Sequence, residues 1–221
     1  MLEMKAKIGC PLKCLSLALY VVIHNIYSRE IVMKQARILT KAEFKRVLAV
    51  VDSNKYAQRN RAVLYLSFYA GLRACEIASL RLHDVVDDDR CVKSQIVLEK
   101  HMTKGNERQR VMVNSSLRKA LQKYVDSVCI NYGANDALIK SQKGGAFTAL
   151  TIVQLFARIY KLAGIEGASS HSGRRQFITT LAEKQVNVRV IQALARHRHL
   201  NTTMRYIDVN DVKLQNAVEL L

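Results

Sequence analysis

Acidic side chains are scarce in this 221-residue chain: 18 Asp and Glu stand against 35 Lys and Arg, a formal charge of +17. That excess is well above the roughly 2–8 of an ordinary small domain and favours a polyanionic partner. Nucleic acid comes first and an anionic membrane surface second. Paired-cysteine motifs are missing. The five cysteines, at 10, 14, 75, 91 and 129, are odd in number and scattered, which excludes a disulfide framework and a Cys-x-x-Cys zinc site. A reducing cytoplasm suits them. No convincing carboxylate cluster for a metal exists: Asp87, Asp88 and Asp89 form one run that reads as a solvated turn. The apolar run Leu15–Ile23 is too short to cross a bilayer and lacks a clean cleavage site, which argues against a membrane span and a secretory leader. Internal repeats and low-complexity tracts are absent.

What is present divides unevenly. Residues 1–32 hold the only proline, Pro11, and carry +2, leaving +15 for the rest. We read residues 1–34 as a leader and 35–221 as one domain, with a tail helix over 210–221. Thr40 followed three residues later by Glu43 has the pattern of a capping box, and Phe44, Val47, Leu48 and Val51 recur at helical spacing. An apolar helix then runs to Gly71, where a glycine C-cap is expected. A short helix over 74–85 leads to the acidic turn. Residues 91–99 and 108–114 are rich in β-branched residues and flank Gly105-Asn106, the pattern of a hairpin. Helices follow at 115–130, 148–163, 172–185, 188–196, near 201–206 and at 210–220. The fold class is mainly α with a small antiparallel β-sheet (α+β).

Positive charge concentrates in two stretches. Residues 90–124 hold nine bases against two acids, and residues 158–206 hold the same, a net +7 each. Such runs are usually solvated faces, but these two surround four motifs with chemical potential. His171 and Arg174 are three apart at a helix start, with Ser169 or Ser170 available as a cap, so they share a face near an end that favours anions. His197 precedes Tyr206 by nine residues, with Asn201, Thr202 and Thr203 breaking the chain between them. Arg73 follows Gly71-Leu72, and Glu76 three residues on is able to orient a neighbouring His or Arg. Lys104 sits at the expected hairpin tip. Each motif alone is an ordinary surface feature.

Taken together and in this order, the four motifs resemble those of the tyrosine recombinase (phage integrase and Xer-like) family. The resemblance rests on Gly71-Leu72-Arg73-Ala74-Cys75-Glu76-Ile77, Thr103-Lys104-Gly105, His171-Ser172-Gly173-Arg174, Ala195-Arg196-His197 and Thr202-Thr203-Met204-Arg205-Tyr206, and it covers about residues 35–210. Two positions depart from it. Gly173 replaces the usual Leu, which should weaken a helix-packing contact. Arg196 replaces the usual Gly and should place a bulky cation beside the site. The family also usually carries a core-binding domain of about a hundred residues before the catalytic part, whereas some thirty-five residues precede it here.

The resemblance implies a tyrosine-type site-specific DNA recombinase of the kind found in mobile elements, needing no cofactor and no metal. Arg73 and Arg174 would neutralise the phosphate, because guanidinium forks match its geometry and keep their charge. His197 would add a hydrogen bond, Tyr206 would be the nucleophile, His171 the general base and Lys104 the acid for the leaving oxygen. Glu76 would hold His171 or an arginine. The partner would be double-stranded DNA, bound by a homotetramer on paired sites that is a monomer when free. The tail stripe Leu214, Ala217, Val218 and Leu221 would dock on a neighbour or on its own domain. The alternatives are a catalytically reduced DNA-binding derivative, a type IB topoisomerase-like relaxase and a basic helical protein at membranes.

Overall fold

Thr40 opens the first helix as expected. Its hydroxyl accepts from the Glu43 N–H while the Glu43 carboxylate accepts from the Thr40 N–H at 2.9 Å. The structure, a computed structural model, describes residues 36–103, 105–207 and 211–219. The expected leader, residues 1–34, and Lys104 lie outside them. Helix α1 (Lys41–Asp52) leads into α2 (Ala57–Ala70), which is buried on nearly every side through Val63, Leu64, Leu66, Phe68 and others. A helix apolar around its whole circumference belongs in a core. Accordingly α5 (Ser115–Val128) and α7 (Ser172–Glu183) both pack on α2.

The expected single helix over 74–85 is two helices, α3 (Ala74–Ser79) and α4 (Leu82–Val85). The break has a backbone cause. Leu80 O accepts from Leu138 N at 2.8 Å, and Leu82 N donates to Asp136 O at 3.0 Å. Arg81 is therefore extended and bridges Ala137. Pairing with residues 136–138 removes two groups that a continuous helix would need.

The hairpin is present but shorter than expected: β1 (Gln95–Leu98) pairs antiparallel with β2 (Gln109–Met112), Gln95 opposite Met112. A 3₁₀ turn, Lys100–Met102, occupies part of the connection. Near its end Asn106 takes φ 51°, a left-handed conformation that Asn tolerates. The acidic run forms a tight turn in which Asp87 accepts from the Cys91 N–H.

Helix α6 (Ala149–Leu162) packs against α3. Helices α8 (Val188–Ala195) and α9 (Leu200–Met204) pack on each other, and α10 (Asp211–Val218) begins the tail. Most buried apolar side chains form one core running through α1 to α6. A satellite of Ile178, Ile191 and Ala195 lies under α7 and α8.

Candidate active site

The site is assembled where two helices end. Helix α2 terminates at Gly71, whose φ of 61° suits glycine, and a side chain there would strike the Phe177 ring at 2.7 Å. The last carbonyls of a helix lack intrahelical donors and carry partial negative charge. At the end of α2 two arginines supply the missing donors. Arg174 donates to Gly71 O at 2.6 Å, and Arg196 donates to Ala70 O at 3.2 Å and Gly71 O at 3.1 Å. The same pair serves the end of α8, Arg174 through Ala195 O and Arg196 through Leu194 O at 3.1 Å.

Arg73 stands at the N-cap of α3. Glu76, on the first turn, accepts from the Arg73 backbone N–H at 2.9 Å and from its guanidinium at 2.6 Å. The second oxygen of Glu76 also takes Arg196, at 3.1 Å. Glu76 thus holds two arginines rather than His171. Its carboxylate is completely buried. Burial alone would raise its pKa, but Arg196, the Arg73 N–H and the Arg73 charge outweigh burial and keep it ionised. Arg73 is a quarter exposed, so it can present charge outward.

Gly173 has a different role from the one expected. A Cβ there would lie 2.3 Å from Ser67 Oγ and 2.7 Å from the Phe68 ring. The absent side chain lets the start of α7 lie directly on α2 and delivers Arg174 to the carbonyls of Gly71 and Ala195. No weakened contact results. Burial and the neighbouring charges of Arg73 and Arg196 loosen Arg174's hold on its proton to about 9, which leaves it charged at neutral pH. His171 is itself the N-cap and is exposed. Neither serine is the N-cap, although Ser169 Oγ accepts from the His171 N–H at 3.2 Å.

Arg196 ends α8 in the left-handed conformation, φ 57°, which costs a non-glycine residue about 1–2 kcal/mol. Its side chain is beside the site, as expected, but turned inward and only 3% exposed, bonded to Glu76 behind Arg73. His197 follows. Its Nδ1 lies 2.9 Å from the hydroxyl of Thr203, which is wholly buried on α9. The Tyr206 N–H donates to Thr203 O at 3.0 Å, and the Tyr206 ring stacks on His197 with centroids 6.0 Å apart. Tyr206 also leans on the Ile178–Ile191–Ala195 satellite. Burial, then the charges of Arg174, Arg73 and Arg196, push the His197 imidazole down to about 4, so it is neutral at physiological pH.

Arg73, Glu76, Arg174, His197 and Tyr206 therefore converge, and His171 stands one helical turn before Arg174 at the mouth of α7. Arg196 and Thr203 were not singled out as working residues in the sequence. Arg196 showed only as a departure from the family pattern, and Thr203 only as part of a helix break and of the motif that ends at Tyr206. A cleft of about 470 Å³ opens beside His197, between β2 and α8, and includes Arg110, Arg189 and Arg198 in its lining. Among the described residues, no group of three or more His, Cys, Asp or Glu is placed to hold a metal ion, and no helix is long and apolar enough to cross a membrane.

Residues 37–213 match the phage integrase family. Tyrosine recombinase XerD of Neisseria meningitidis serogroup B is 28% identical over 186 residues, which cover 82% of this chain and 62% of the relative. Tyrosine recombinase XerC of Caldanaerobacter subterraneus is 29% identical over 185 residues, 81% of this chain and 49% of the relative. The chain thus spans less than two thirds of the length of these relatives. Among solved structures, the XerA recombinase superposes with a TM-score of 0.66 at 26% identity, covering 83% of this chain and 62% of that one. The XerH site-specific recombinase bound to difH substrate, a pre-cleavage complex, does so at 0.63 and 25%, covering 82% and 53%.

Proposed function

The chain belongs to the phage integrase family, and from that premise we propose that it breaks and rejoins double-stranded DNA at specific sites through a covalent link to Tyr206, with no metal. The observation that carries this reading is the stacking of Tyr206 on His197 beside two buried arginines that are tied to helix ends. Relatives named as tyrosine recombinases, and a relative solved on its DNA substrate, point the same way.

The chemistry requires charge neutralisation first. Without a cation, Arg73 and Arg174 offset the charge of the non-bridging phosphate oxygens, and in a dry site such prebuilt donors are worth most. A neutral His197 that accepts the Thr203 hydroxyl at Nδ1 carries its proton on Nε2 and donates it to the same phosphate. The Tyr206 oxygen attacks phosphorus as its proton passes to His171. The bond to the 5′ oxygen breaks, and Lys104 protonates that oxygen. The product is a 3′-phosphotyrosine and a free 5′ hydroxyl. Attack by a 5′ hydroxyl in reverse reseals the strand without ATP.

Residues 35–221 act as the catalytic domain in this reading. Four protomers, monomers when free, assemble on paired sites in the cytoplasm. The uncovered Leu214 and Val218 on α10, 54% and 62% exposed, support contact between subunits. The basic cleft beside His197 suits the DNA backbone.

The test is incubation with a nicked suicide DNA substrate in EDTA. A covalent protein–DNA adduct is expected, and Tyr206→Phe brings it to background. DNA binding without an adduct on any cognate substrate contradicts the reading in favour of a binding derivative, and relaxation of plasmids lacking a target site contradicts it in favour of a topoisomerase.

A further inference from the structure

Arg196 is buried, strained and charged, and it forms part of the floor of the cleft beside His197 with its guanidinium turned inward. The left-handed backbone at this position suits glycine, which would leave the end of α8 unstrained. The chain instead places there a guanidinium that reaches four acceptors: Ala70 O, Gly71 O, Leu194 O and Glu76 Oε2. Its Nε is buried with no partner among the described residues.

The arrangement has a consequence for charge. Arg73, Arg174 and Arg196 surround one buried carboxylate, Glu76. A single arginine would balance Glu76. The third guanidinium leaves the pocket two positive charges in excess, a deficit that an entering phosphodiester reduces. Arg196 also fixes the geometry from behind. It pins Glu76, which holds Arg73 at 2.6 Å, and it shares the Gly71 carbonyl with Arg174.

We propose that Arg196 is a positioning residue, a buried third arginine that locks Glu76 and the end of α2 so that Arg73 and Arg174 are preset for the phosphate. This inference rests on the recombinase reading above for its kinetic consequence, and on the geometry of the free protein for the rest. The groups facing His197 are Arg174 from α7, Arg73 from the start of α3, Arg196 from the end of α8 and the stacked Tyr206 after α9. Removing Arg196 takes away one of three cations that disfavour imidazolium.

Arg196→Gly keeps the left-handed turn and deletes the clamp. Its thermal transition should fall, because Glu76 and the helix-end carbonyls lose a buried partner, while its DNA affinity should stay within about threefold, because the guanidinium is only 3% exposed. Single-turnover adduct formation should fall about tenfold to a hundredfold, the scale of a small misplacement of catalytic groups. In the free protein the His197 imidazole, followed by NMR, should titrate higher by about half a pH unit at most, because Arg196 is the weakest of the causes that depress it. Guanidinium at low millimolar concentration should restore part of the rate. Where Arg196→Gly does not fold, Arg196→Lys, which keeps a charge but not the fork, should fold and still lose about tenfold. A wild-type rate in either variant overturns the proposal. So does an unmoved His197 titration, or a loss of rate that only parallels a loss of stability and is not rescued. An inactive wild-type protein would instead overturn the recombinase reading, and the His197 titration would still decide the role of Arg196.

Discussion

Arg174 and Tyr206 serve one site from different surroundings. Arg174 is anchored at the end of the central helix α2, beside the main core, with both its carbonyl partners supplied by helix ends. Tyr206 follows the short helix α9 and leans on a satellite of three buried residues. In the proposed reading, the half that would bind phosphate is thus held by long-range hydrogen bonds to two helix ends, while the half that carries Tyr206 has little buried area to hold it. Segments with few buried contacts open at lower free energy than core helices. If the chain exchanges strands as proposed, that inequality would let the charge cradle persist while the tyrosine is engaged and released.

The largest expected effect lies at Arg174. Arg174→Ala should lower adduct formation by about a hundredfold to a thousandfold and DNA binding far less, since the charge matters most in the transition state. Equal losses in cleavage rate and binding constant would make it an ordinary backbone contact. Gly173→Ala tests how tightly the Arg174 half is packed. Alanine favours a helix by about 1 kcal/mol over glycine, yet its Cβ would lie 2.3 Å from Ser67 Oγ, and overpacking costs about 1–3 kcal/mol. A net loss of stability is therefore expected in denaturant unfolding, and a gain would show that α7 has room to move.

The pH dependence sharpens the same contrast. His197 in the folded protein titrates near 4, below its ordinary 6.5, so the unfolded chain takes up a proton that the folded chain refuses. Its effect is nil above about 6.5 and becomes destabilising as pH falls from there to about 4. Adduct formation should keep its neutral His197 down to about pH 5, and an apparent acid limb at 6.5 assigned to His197 by NMR would contradict the buried, cation-flanked imidazole. The smallest effect belongs to Thr203→Val, which removes the hydroxyl from His197 Nδ1 while keeping the shape. It should cost the adduct rate about tenfold or less, well below the loss expected for Arg174→Ala.

Much of this was legible in the sequence. Thr40 with Glu43, the end of α2 at Gly71 and the order of the helices follow from local capping and periodicity, which depend on neighbours in the chain. The 74–85 segment was not legible as two helices, because its break at Leu80–Leu82 comes from backbone pairing with residues 136–138, more than fifty positions away. Gly173 looked like a lost packing contact because a sequence does not show that Ser67 lies against it. Glu76 was recognisable as an orienting carboxylate, but its second partner, Arg196, is 120 positions away and approaches from another helix end. Residues whose roles are local could be read directly, whereas those whose roles are fixed by long-range burial could not.

The proposed chemistry turns on one atom, the Tyr206 hydroxyl oxygen. Trypsin digestion of the trapped protein–DNA adduct, followed by mass spectrometry, locates the attachment directly. A nucleotide remnant is expected on the peptide that begins at Tyr206 and ends at Lys213, carried by the tyrosine. Attachment at any other side chain, or an unmodified 206–213 peptide from a genuine adduct, would contradict that chemistry.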